Sequence, residues 1–212
     1  MNKGVSYLEK EKYEKGLLYL NRAIAADSTN LHAYLNRGCA YEDLGMYQES
    51  LKDYRFLFSK GYRHPAVFYN SGLAHYELKN FEKSVEMYDS AITLEPNVDF
   101  YIAKGTSLTD MGQLQEALQA YNQAYALAPD DIVLLYDFGY TYFRMKEYDK
   151  AEEYLMHAVR KGSKDEYVYL YLAKIYDQRG DKDLACQFYR QALRLQPGGE
   201  EFKEEDRISC RN

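Results

Sequence analysis

The sequence has no tryptophan, only four prolines and three cysteines, and no long apolar run. The cysteines (Cys39, Cys186 and Cys210) are odd in number and widely spaced, so they predict neither a disulfide framework nor a zinc site. No apolar run approaches the roughly 20 residues that cross a bilayer. Residues 1–30 also lack the uninterrupted apolar stretch of a signal peptide. These absences predict no membrane insertion in this segment.

Signatures of catalysis and of nucleic-acid binding are also missing. The four histidines are scattered, and the sequence contains no His-x-x-x-His pair, no nucleophile motif and no glycine-rich phosphate loop. We therefore expect no enzyme activity, no cofactor and no bound metal. The formal net charge of −6 gives no basic footprint, so we expect no nucleic-acid partner.

Apolar content is nevertheless sufficient for folding, since the 212 residues are 46% hydrophobic and 28% charged. The choice of apolar residues is unusual, because the sequence contains 24 tyrosines and 9 phenylalanines. Tyrosine has an apolar body and a polar tip, which suits positions where one edge of the ring stays wet. The composition therefore favours many thin, half-buried interfaces over one thick core.

A small residue recurs with a period of 33 or 34 residues. These marker positions are Gly4, Gly38, Gly72, Gly105, Gly139 and Ala173. Twelve residues after each marker comes a second small residue, namely Gly16, Ser50, Ser84, Ala117, Ala151 and Ala185. Nineteen residues after each marker there is an alanine, except at Leu57, and three of the four prolines fall 24 residues after a marker. Such a regular register predicts an array of internal repeats.

Each period predicts two amphipathic helices joined by a short turn. In the third period, residues 65–79 and 81–94 carry large apolar side chains near helical spacing. Gly45, Gly112 and Gly180 lie between the two helices of their periods, where a left-handed residue ends a helix. A proline near the end of the second helix stops the pair.

The small residues predict a close approach between the paired helices. A large residue follows the second small residue by one helical turn and is expected to fill the space around the contact. These large residues are Leu20, Tyr54, Tyr88, Tyr121, Leu155 and Tyr189. The alanine nearer the helix end leaves room for the next repeat. A bulky residue at Gly72 or Ala151 should overpack the contact, at a cost of about 1–3 kcal/mol.

This pattern resembles the tetratricopeptide repeat family. Residues 65–97 match the family signature through Phe68, Gly72, Tyr76, Ser84, Tyr88, Ala91 and Pro96. Residues 98–131 match it through Tyr101, Gly105, Ala117, Tyr121, Ala124 and Pro129. The resemblance implies an all-α fold, a right-handed superhelical solenoid of antiparallel helix pairs.

Six repeats are expected to form one solenoid domain over residues 1–199. Their expected bounds are 1–30, 31–64, 65–97, 98–131, 132–165 and 166–199. The charged residues 200–212 are expected to form a C-terminal cap or a flexible tail, because an exposed solenoid end needs a polar cover. In the second repeat, which lacks the family proline, Gly61 is expected to end the helix. The first repeat begins in mid-pattern, which leaves open an upstream signal or lipid anchor.

In the family, the first helices of the pairs line a concave groove that receives an extended peptide or a partner helix. We project this groove onto the positions three and two before each marker, and one, four and five after it. One row of these positions is asparagine, at Asn2, Asn36 and Asn70. Because asparagine both donates and accepts, the row either grips a peptide backbone or is an ordinary polar row on a wet face.

The same projection gives a set of aromatic residues, which are Tyr69, Tyr76, Tyr136, Tyr140, Phe143 and Tyr171. Exposed aromatic clusters supply contact area at low entropy cost, although any single ring could instead pack between helices. The predicted peptide-binding residues are Asn36, Tyr69, Asn70, Tyr76, Tyr136, Asp137, Tyr140, Tyr171 and Lys174.

The projected groove is acidic. Its charged positions are Glu9, Glu42, Asp43, Glu77, Asp110, Asp137 and Asp177, against Arg144 and Lys174. Some family members hold a partner's terminal carboxylate through lysines, an arginine and asparagines on this face. Here Asn70 matches one clamp position, and the other positions hold Leu35, Cys39, Asp99 and Ala103. We therefore expect a neutral-to-basic ligand with apolar anchors; the alternative is that the acids only solvate the surface.

Two functional classes stay open. The first is a protein–protein interaction scaffold whose groove binds a peptide segment or helix of a partner. The second is a structural assembly subunit that self-associates as a homo-oligomer, or docks in a larger complex through its ends and its interfaces between repeats. The expected compartment is cytoplasmic by default, because no targeting segment is visible in the sequence.

Overall fold

The computed structural model describes residues 3–196 and residue 210, and every regular element within them is a helix. The eleven helices of this part are α1 Lys3–Ala26, α2 Leu31–Asp43, α3 Tyr47–Ser59, α4 Pro65–Glu77, α5 Phe81–Leu94, α6 Val98–Asp110, α7 Leu114–Leu127, α8 Ile132–Arg144, α9 Tyr148–Arg160, α10 Glu166–Gln178 and α11 Lys182–Leu195. The predicted all-α class is confirmed. None of these helices is both long and apolar enough to cross a membrane.

The first repeat departs from the expected helix pair, because α1 runs unbroken from Lys3 to Ala26. In the later repeats, the position seven residues after the marker lies in the turn, and it holds Gly45, Lys79, Gly112, Lys146 and Gly180. The first repeat has Glu11 there, within an alternating run of glutamate and lysine. Both residue types favour helix, and glutamate rarely adopts the left-handed conformation. The expectation of two helices within residues 1–30 was therefore wrong.

The turns between paired helices have the predicted left-handed residue. Gly45 and Gly180 adopt φ values of 70° and 80°. Lys79 and Lys146 take the same conformation, at 61° and 62°, although neither is glycine. Gly61 also has a positive φ, of 75°, just after the end of α3 as expected. The first helices α2, α4, α6, α8 and α10 are each preceded by a capping residue whose side chain accepts a backbone N–H, namely Asn30, His64, Asn97, Asp131 and Asp165.

The chain forms two compact units, an N-terminal unit of residues 1–111 and a C-terminal unit of residues 112–212. Within the N-terminal unit, α2 packs against α3 and α4 against α5. Within the C-terminal unit, α8 packs against α9 and α10 against α11. The single solenoid domain over residues 1–199 stays a prediction. The expected tail, residues 200–212, lies outside the described residues apart from Cys210.

In three pairs, the marker glycine (Gly38, Gly72 or Gly139) lies against the large residue of the second helix. A Cβ atom built on Gly38 would lie 2.6 Å from Cε1 of Tyr54. A Cβ atom on Gly139 would lie 2.5 Å from Cγ of Leu155. Both distances are far shorter than van der Waals contact. These glycines therefore make room for a large side chain of the partner helix.

Two clusters of the core lie between successive repeats. In the N-terminal unit, one cluster joins α3 to α4 through Leu51, Tyr54, Leu57, Val67 and Ala74. In the C-terminal unit, the equivalent cluster joins α9 to α10 through Leu155, Ala158, Val168, Leu172 and Ile175. Ala158 stands nineteen residues after its marker, and α10, the next first helix, fills the space that this small residue leaves. At the same position of the second repeat, Leu57 instead contacts α4 through a large side chain.

The cysteines differ from the sequence expectation. Cys186 in α11 forms a disulfide with Cys210, with 5.4 Å between their Cα atoms, whereas Cys39 is free. The inference that the cysteines predict no disulfide was therefore wrong. Two cysteines separated by 24 residues carry no spacing signature.

Candidate functional site

Four aromatic residues of the projected groove meet in the C-terminal unit, where α8 contacts α10. We call Tyr136, Tyr140, Phe143 and Tyr171 the tyrosine cluster. The ring centroids of Tyr140 and Tyr171 lie 5.1 Å apart, and those of Phe143 and Tyr171 lie 5.0 Å apart. Tyr136 stacks on Tyr140 at 6.1 Å, with 6° between the ring planes. The two first helices thus form one aromatic surface.

Helical spacing explains how α8 contributes to this surface. Tyr136, Tyr140 and Arg144 follow one another at intervals of four residues, which places them along one face of the helix. The Arg144 guanidinium carbon lies 5.8 Å from the Tyr140 ring centroid. On α10, the Lys174 ammonium lies 5.5 Å from the Tyr171 ring centroid. Cations at this distance from a ring are attracted by its negative face.

Burial separates the ligand-accessible members of the predicted site from the others. The four rings of the tyrosine cluster are half-buried, and burial raises the pKa of the Tyr136 hydroxyl well above its usual value. That hydroxyl therefore stays protonated at neutral pH. Asp137 is different, because it is only 8% exposed. Although it was predicted as a groove residue, its side chain offers little surface to a ligand.

The predicted peptide-binding residues of the N-terminal unit differ from one another in exposure and in contacts. Asn36 is exposed on α2. The Asn70 side-chain amide donates to Sγ of Cys39 at 3.5 Å. The Tyr76 hydroxyl donates to Asp110 at 2.7 Å and so joins α4 to α6. Tyr69 contacts other aromatic rings, with centroid distances of 4.9 Å to Phe100 and 5.8 Å to Tyr88. For Tyr69, packing between helices accounts for much of its surface.

A polar cluster around Glu42 was not predicted as a unit. The hydroxyl of Tyr54, a residue of α3, donates to Oε2 of Glu42 at 2.9 Å and approaches Sγ of Cys39 at 3.7 Å. Oε1 of Glu42 is buried and has no hydrogen-bond partner. Burial raises the pKa of the Glu42 carboxyl to about 7, although the hydrogen bond from Tyr54 opposes this effect and nearby Asp43 adds to it. The sequence identified Glu42 as an acid of the groove, but gave no sign of its burial.

The two units differ in the charges at their projected groove positions. In the N-terminal unit, these positions on α2, α4 and α6 carry only acids, which are Glu42, Asp43, Glu77 and Asp110. Lys79 stands just beyond them, with its ammonium 5.3 Å from the Tyr76 ring centroid. In the C-terminal unit, the positions on α8 and α10 carry both signs. The projected groove positions are therefore more acidic in the N-terminal unit than in the C-terminal unit.

Comparison with protein families gives one consistent result. Family models described as tetratricopeptide repeat match residues 35–98 and 69–132, residues 108–175, and residues 166–198. Together these matches cover most of the chain, including every first helix from α4 to α10. They also overlap, as is expected when a repeated pattern can be aligned in more than one register.

Among known proteins, the BBSome complex member BBS4 of Mus musculus is 28% identical over 124 residues. That match covers 58% of the chain and 24% of the relative's length. The chain therefore spans about a quarter of this relative. The Pseudomonas aeruginosa pilF structure has a TM-score of 0.74 at 20% identity, covering 92% of this chain and 89% of the other. YrrB, described as a TPR protein with an unusual peptide-binding site, has a TM-score of 0.66 at 17% identity, covering 84% and 93%. These structural likenesses concern the fold.

Proposed function

The chain belongs to the tetratricopeptide repeat family, and from this premise we propose that it is a scaffold that binds a linear peptide or helix of a partner protein. Proteins of this family generally mediate protein–protein interactions. The observation that carries the proposal is the tyrosine cluster on α8 and α10, which brings four aromatic rings to the first-helix face. The YrrB structure, described as having a peptide-binding site, is consistent with it.

The tyrosine cluster suits a peptide ligand for physical reasons. Its rings are already packed against one another, so few side-chain torsions remain to be frozen when a ligand binds. Tyrosine also offers an apolar face and a hydroxyl on the same side chain. Apolar or aromatic side chains of a partner can pack on the rings, while the hydroxyl groups bond to its backbone.

We expect the ligand to be neutral to basic. The support comes from the N-terminal unit, where the projected groove positions carry four acids and neither lysine nor arginine. An acidic surface attracts basic segments and repels acidic ones. In the C-terminal unit, Arg144 and Lys174 already lie over tyrosine rings, so apolar contact is expected to dominate there.

The binding residues proposed here are those expected from the sequence, with different weights. We assign the main contacts to Tyr136, Tyr140 and Tyr171, with Lys174 at their edge. In the N-terminal unit, we assign contacts to Asn36, Asn70 and Tyr76. Asp137 and Tyr69 are proposed to support these residues, since both are largely occupied by contacts within the protein.

A non-enzymatic role agrees with the fold and with the relatives, which include a member of a multiprotein complex. That relative also keeps a second candidate function open, an assembly subunit that docks through its ends and interfaces. Leu127 and Val133, outside the tyrosine cluster, are 53% and 60% exposed. They contribute to an assembly interface only where they form a contiguous apolar patch.

One experiment separates the two functions. Arrays of acidic, neutral and basic peptides with aromatic or aliphatic anchors are probed with the chain, and affinities for selected peptides are measured by calorimetry. We expect neutral or basic peptides to bind, and the double variant Tyr136→Ala/Tyr140→Ala to lose at least tenfold in affinity, because truncation of aromatic anchors typically costs about 2 kcal/mol or more. The matched control is Tyr19→Ala/Tyr167→Ala, which removes two exposed tyrosines outside the cluster.

The mass of the chain in solution is measured on the same samples. Loss of peptide binding by the cluster variant, with unchanged mass, supports the scaffold. A change of mass without any change in peptide binding supports the assembly subunit instead. Selective binding of acidic carboxyl-terminal peptides would contradict the expected ligand charge.

A further inference from the structure

Four polar side chains of the N-terminal unit form one connected set, which we call the Glu42 cluster. Cys39 and Glu42 come from α2, Tyr54 from α3 and Asn70 from α4. The Tyr54 hydroxyl lies 2.9 Å from Oε2 of Glu42 and 3.7 Å from Sγ of Cys39. The Asn70 amide nitrogen lies 3.5 Å from the same sulfur. Three helices thus meet at this cluster, and two of its members, Glu42 and Asn70, stand at projected groove positions.

The carboxyl group of Glu42 has one oxygen to spare. Oε1 is buried and has no hydrogen-bond partner, although the residue as a whole is half-buried. The described titratable groups that interact with this carboxyl are Asp43 and Cys39 on α2, Tyr47 and Tyr54 on α3, Tyr69 on α4 and Tyr88 on α5. None of these groups can supply a positive charge. A carboxylate that is shielded from water is unfavourable without one, so the site favours a cation from outside.

The sixth repeat shows an acid at the same register position together with its cation. Glu42 and Asp177 each stand four residues after their marker. The Lys182 ammonium lies 2.6 Å from Oδ1 of Asp177. Lys182 stands nine residues after its marker, and its counterpart in the second repeat is Tyr47. The second repeat therefore keeps the acid and replaces the lysine with an uncharged side chain.

We propose that the Glu42 cluster binds the ammonium group of a lysine in the peptide ligand, and that this lysine displaces a proton from Glu42 to the solvent. The inference rests on the proposed peptide-binding role and adds a residue type that the ligand carries. The terminal torsion of a glutamate is soft, so a small rotation turns Oε1 toward the groove. The amide oxygen of Asn70, which takes no part in the bond to Cys39, is a second acceptor for the ammonium.

The cluster suits lysine better than arginine. Tyr54 already occupies Oε2 of Glu42, so a ligand finds a single carboxylate oxygen. A lysine ammonium is a compact point charge, whereas an arginine guanidinium matches two oxygens at once. Arg37 in the same unit uses both oxygens of Asp53, at 2.8 and 2.6 Å. Glu42 does not offer that arrangement.

The test uses the tightest-binding lysine-containing peptide from the arrays, and copies in which each lysine in turn is acetyllysine or arginine. Affinities are measured by calorimetry at pH 6, 7 and 8. Because burial raises the pKa of Glu42 to about 7, we expect binding about tenfold tighter at pH 8 than at pH 6. Buffers of different ionisation enthalpy should show about half a proton released per bound peptide at pH 7. Acetylation of the bound lysine should weaken binding and abolish this pH dependence, since it removes the charge.

Two variants of the chain make the test specific. Glu42→Gln should lose both the pH dependence and the proton release. Glu82→Gln, at an exposed glutamate of the second helix α5, is the matched control and should keep both. The histidines are the same in all three proteins, so their titration does not produce the difference.

The outcomes separate this inference from the proposed function. If peptides bind through the tyrosine cluster but acetylation of no lysine matters, the lysine site is overturned and the scaffold role stands. The same conclusion follows if Glu42→Gln keeps the pH dependence of the unchanged chain. Equal or tighter binding of the arginine copy would overturn the choice of lysine. Absence of binding by any peptide would overturn both proposals.

Discussion

Replacing Glu42 with glutamine removes one carboxyl group from the N-terminal unit, while the side chain keeps nearly the same size and shape. In the structure, one oxygen of this carboxyl accepts a hydrogen bond from the Tyr54 hydroxyl at 2.9 Å. The other oxygen is buried without a hydrogen-bond partner. A glutamine can keep the first hydrogen bond through its amide oxygen. It cannot carry the charge that burial makes unfavourable, so the variant isolates the cost of ionising Glu42.

The magnitude follows from the pKa of Glu42, which burial raises from 4.5 to about 7. At about 1.4 kcal/mol per pKa unit, this change corresponds to about 3 kcal/mol. Because solvent reaches part of the carboxyl, we discount it to about 2 kcal/mol. The folded state holds the proton more tightly than the unfolded state. The contribution to stability is therefore complete below pH 4.5 and is lost as the pH rises through 7.

The assay is urea unfolding followed by circular dichroism at several pH values from 4.5 to 8. Subtracting the unfolding free energies of the two proteins cancels the contributions of the titratable groups that they share. We expect Glu42→Gln to have nearly the same unfolding free energy as the unchanged chain near pH 4.5, and to be about 2 kcal/mol more stable at pH 8. Glu77→Gln, at an exposed glutamate of α4, is the matched control. A pH-independent difference, or a less stable Glu42→Gln at pH 8, would refute the reasoning.

Three further substitutions test the packing. Gly139→Ala should lower the unfolding free energy by about 1–3 kcal/mol, because its Cβ would meet Leu155 at 2.5 Å; unchanged stability would argue against a tight contact. Lys146→Gly should raise the melting temperature slightly, since it relieves a left-handed φ worth about 1 kcal/mol; a lower one would contradict this. Asp53→Ala should cost about 3 kcal/mol in urea unfolding, because Arg37 loses its two-point ion pair at 2.6 and 2.8 Å; a loss below 1 kcal/mol would show that the pair matters little.

The repeat architecture could be predicted because it depends on local pattern. The marker glycines, the large residues sixteen positions later and the left-handed turn residues each leave a periodic trace in the sequence. The continuous α1 was less obvious. The residue that favours a continuous helix is Glu11, a helix-forming residue at the position where later repeats turn. The turn lysines Lys79 and Lys146 show that glycine is not required there, so its absence alone does not predict a continuous helix.

The candidate site was predictable to the extent that it lies on single helix faces. Tyr136 and Tyr140 could be placed together because four-residue spacing fixes their side of α8. The state of Glu42 could not be predicted, because its raised pKa comes from burial in the folded chain, and the hydrogen bond from Tyr54 only opposes this effect. The burial of Tyr54 could not be predicted either. Its side chain is 0% exposed, whereas the tyrosine-rich composition suggested half-buried rings. The disulfide was hidden for a related reason, since it joins distant parts of the sequence.

Mapping the contact surface of a bound peptide tests directly whether the tyrosine cluster binds it. The best peptide from the arrays is titrated into isotope-labelled chain, and amide and tyrosine ring shifts are followed by nuclear magnetic resonance. We expect the largest changes on α8 and α10, at Tyr136, Tyr140 and Tyr171. Changes confined to the second helices α9 and α11, with the tyrosine cluster unaffected, would contradict it.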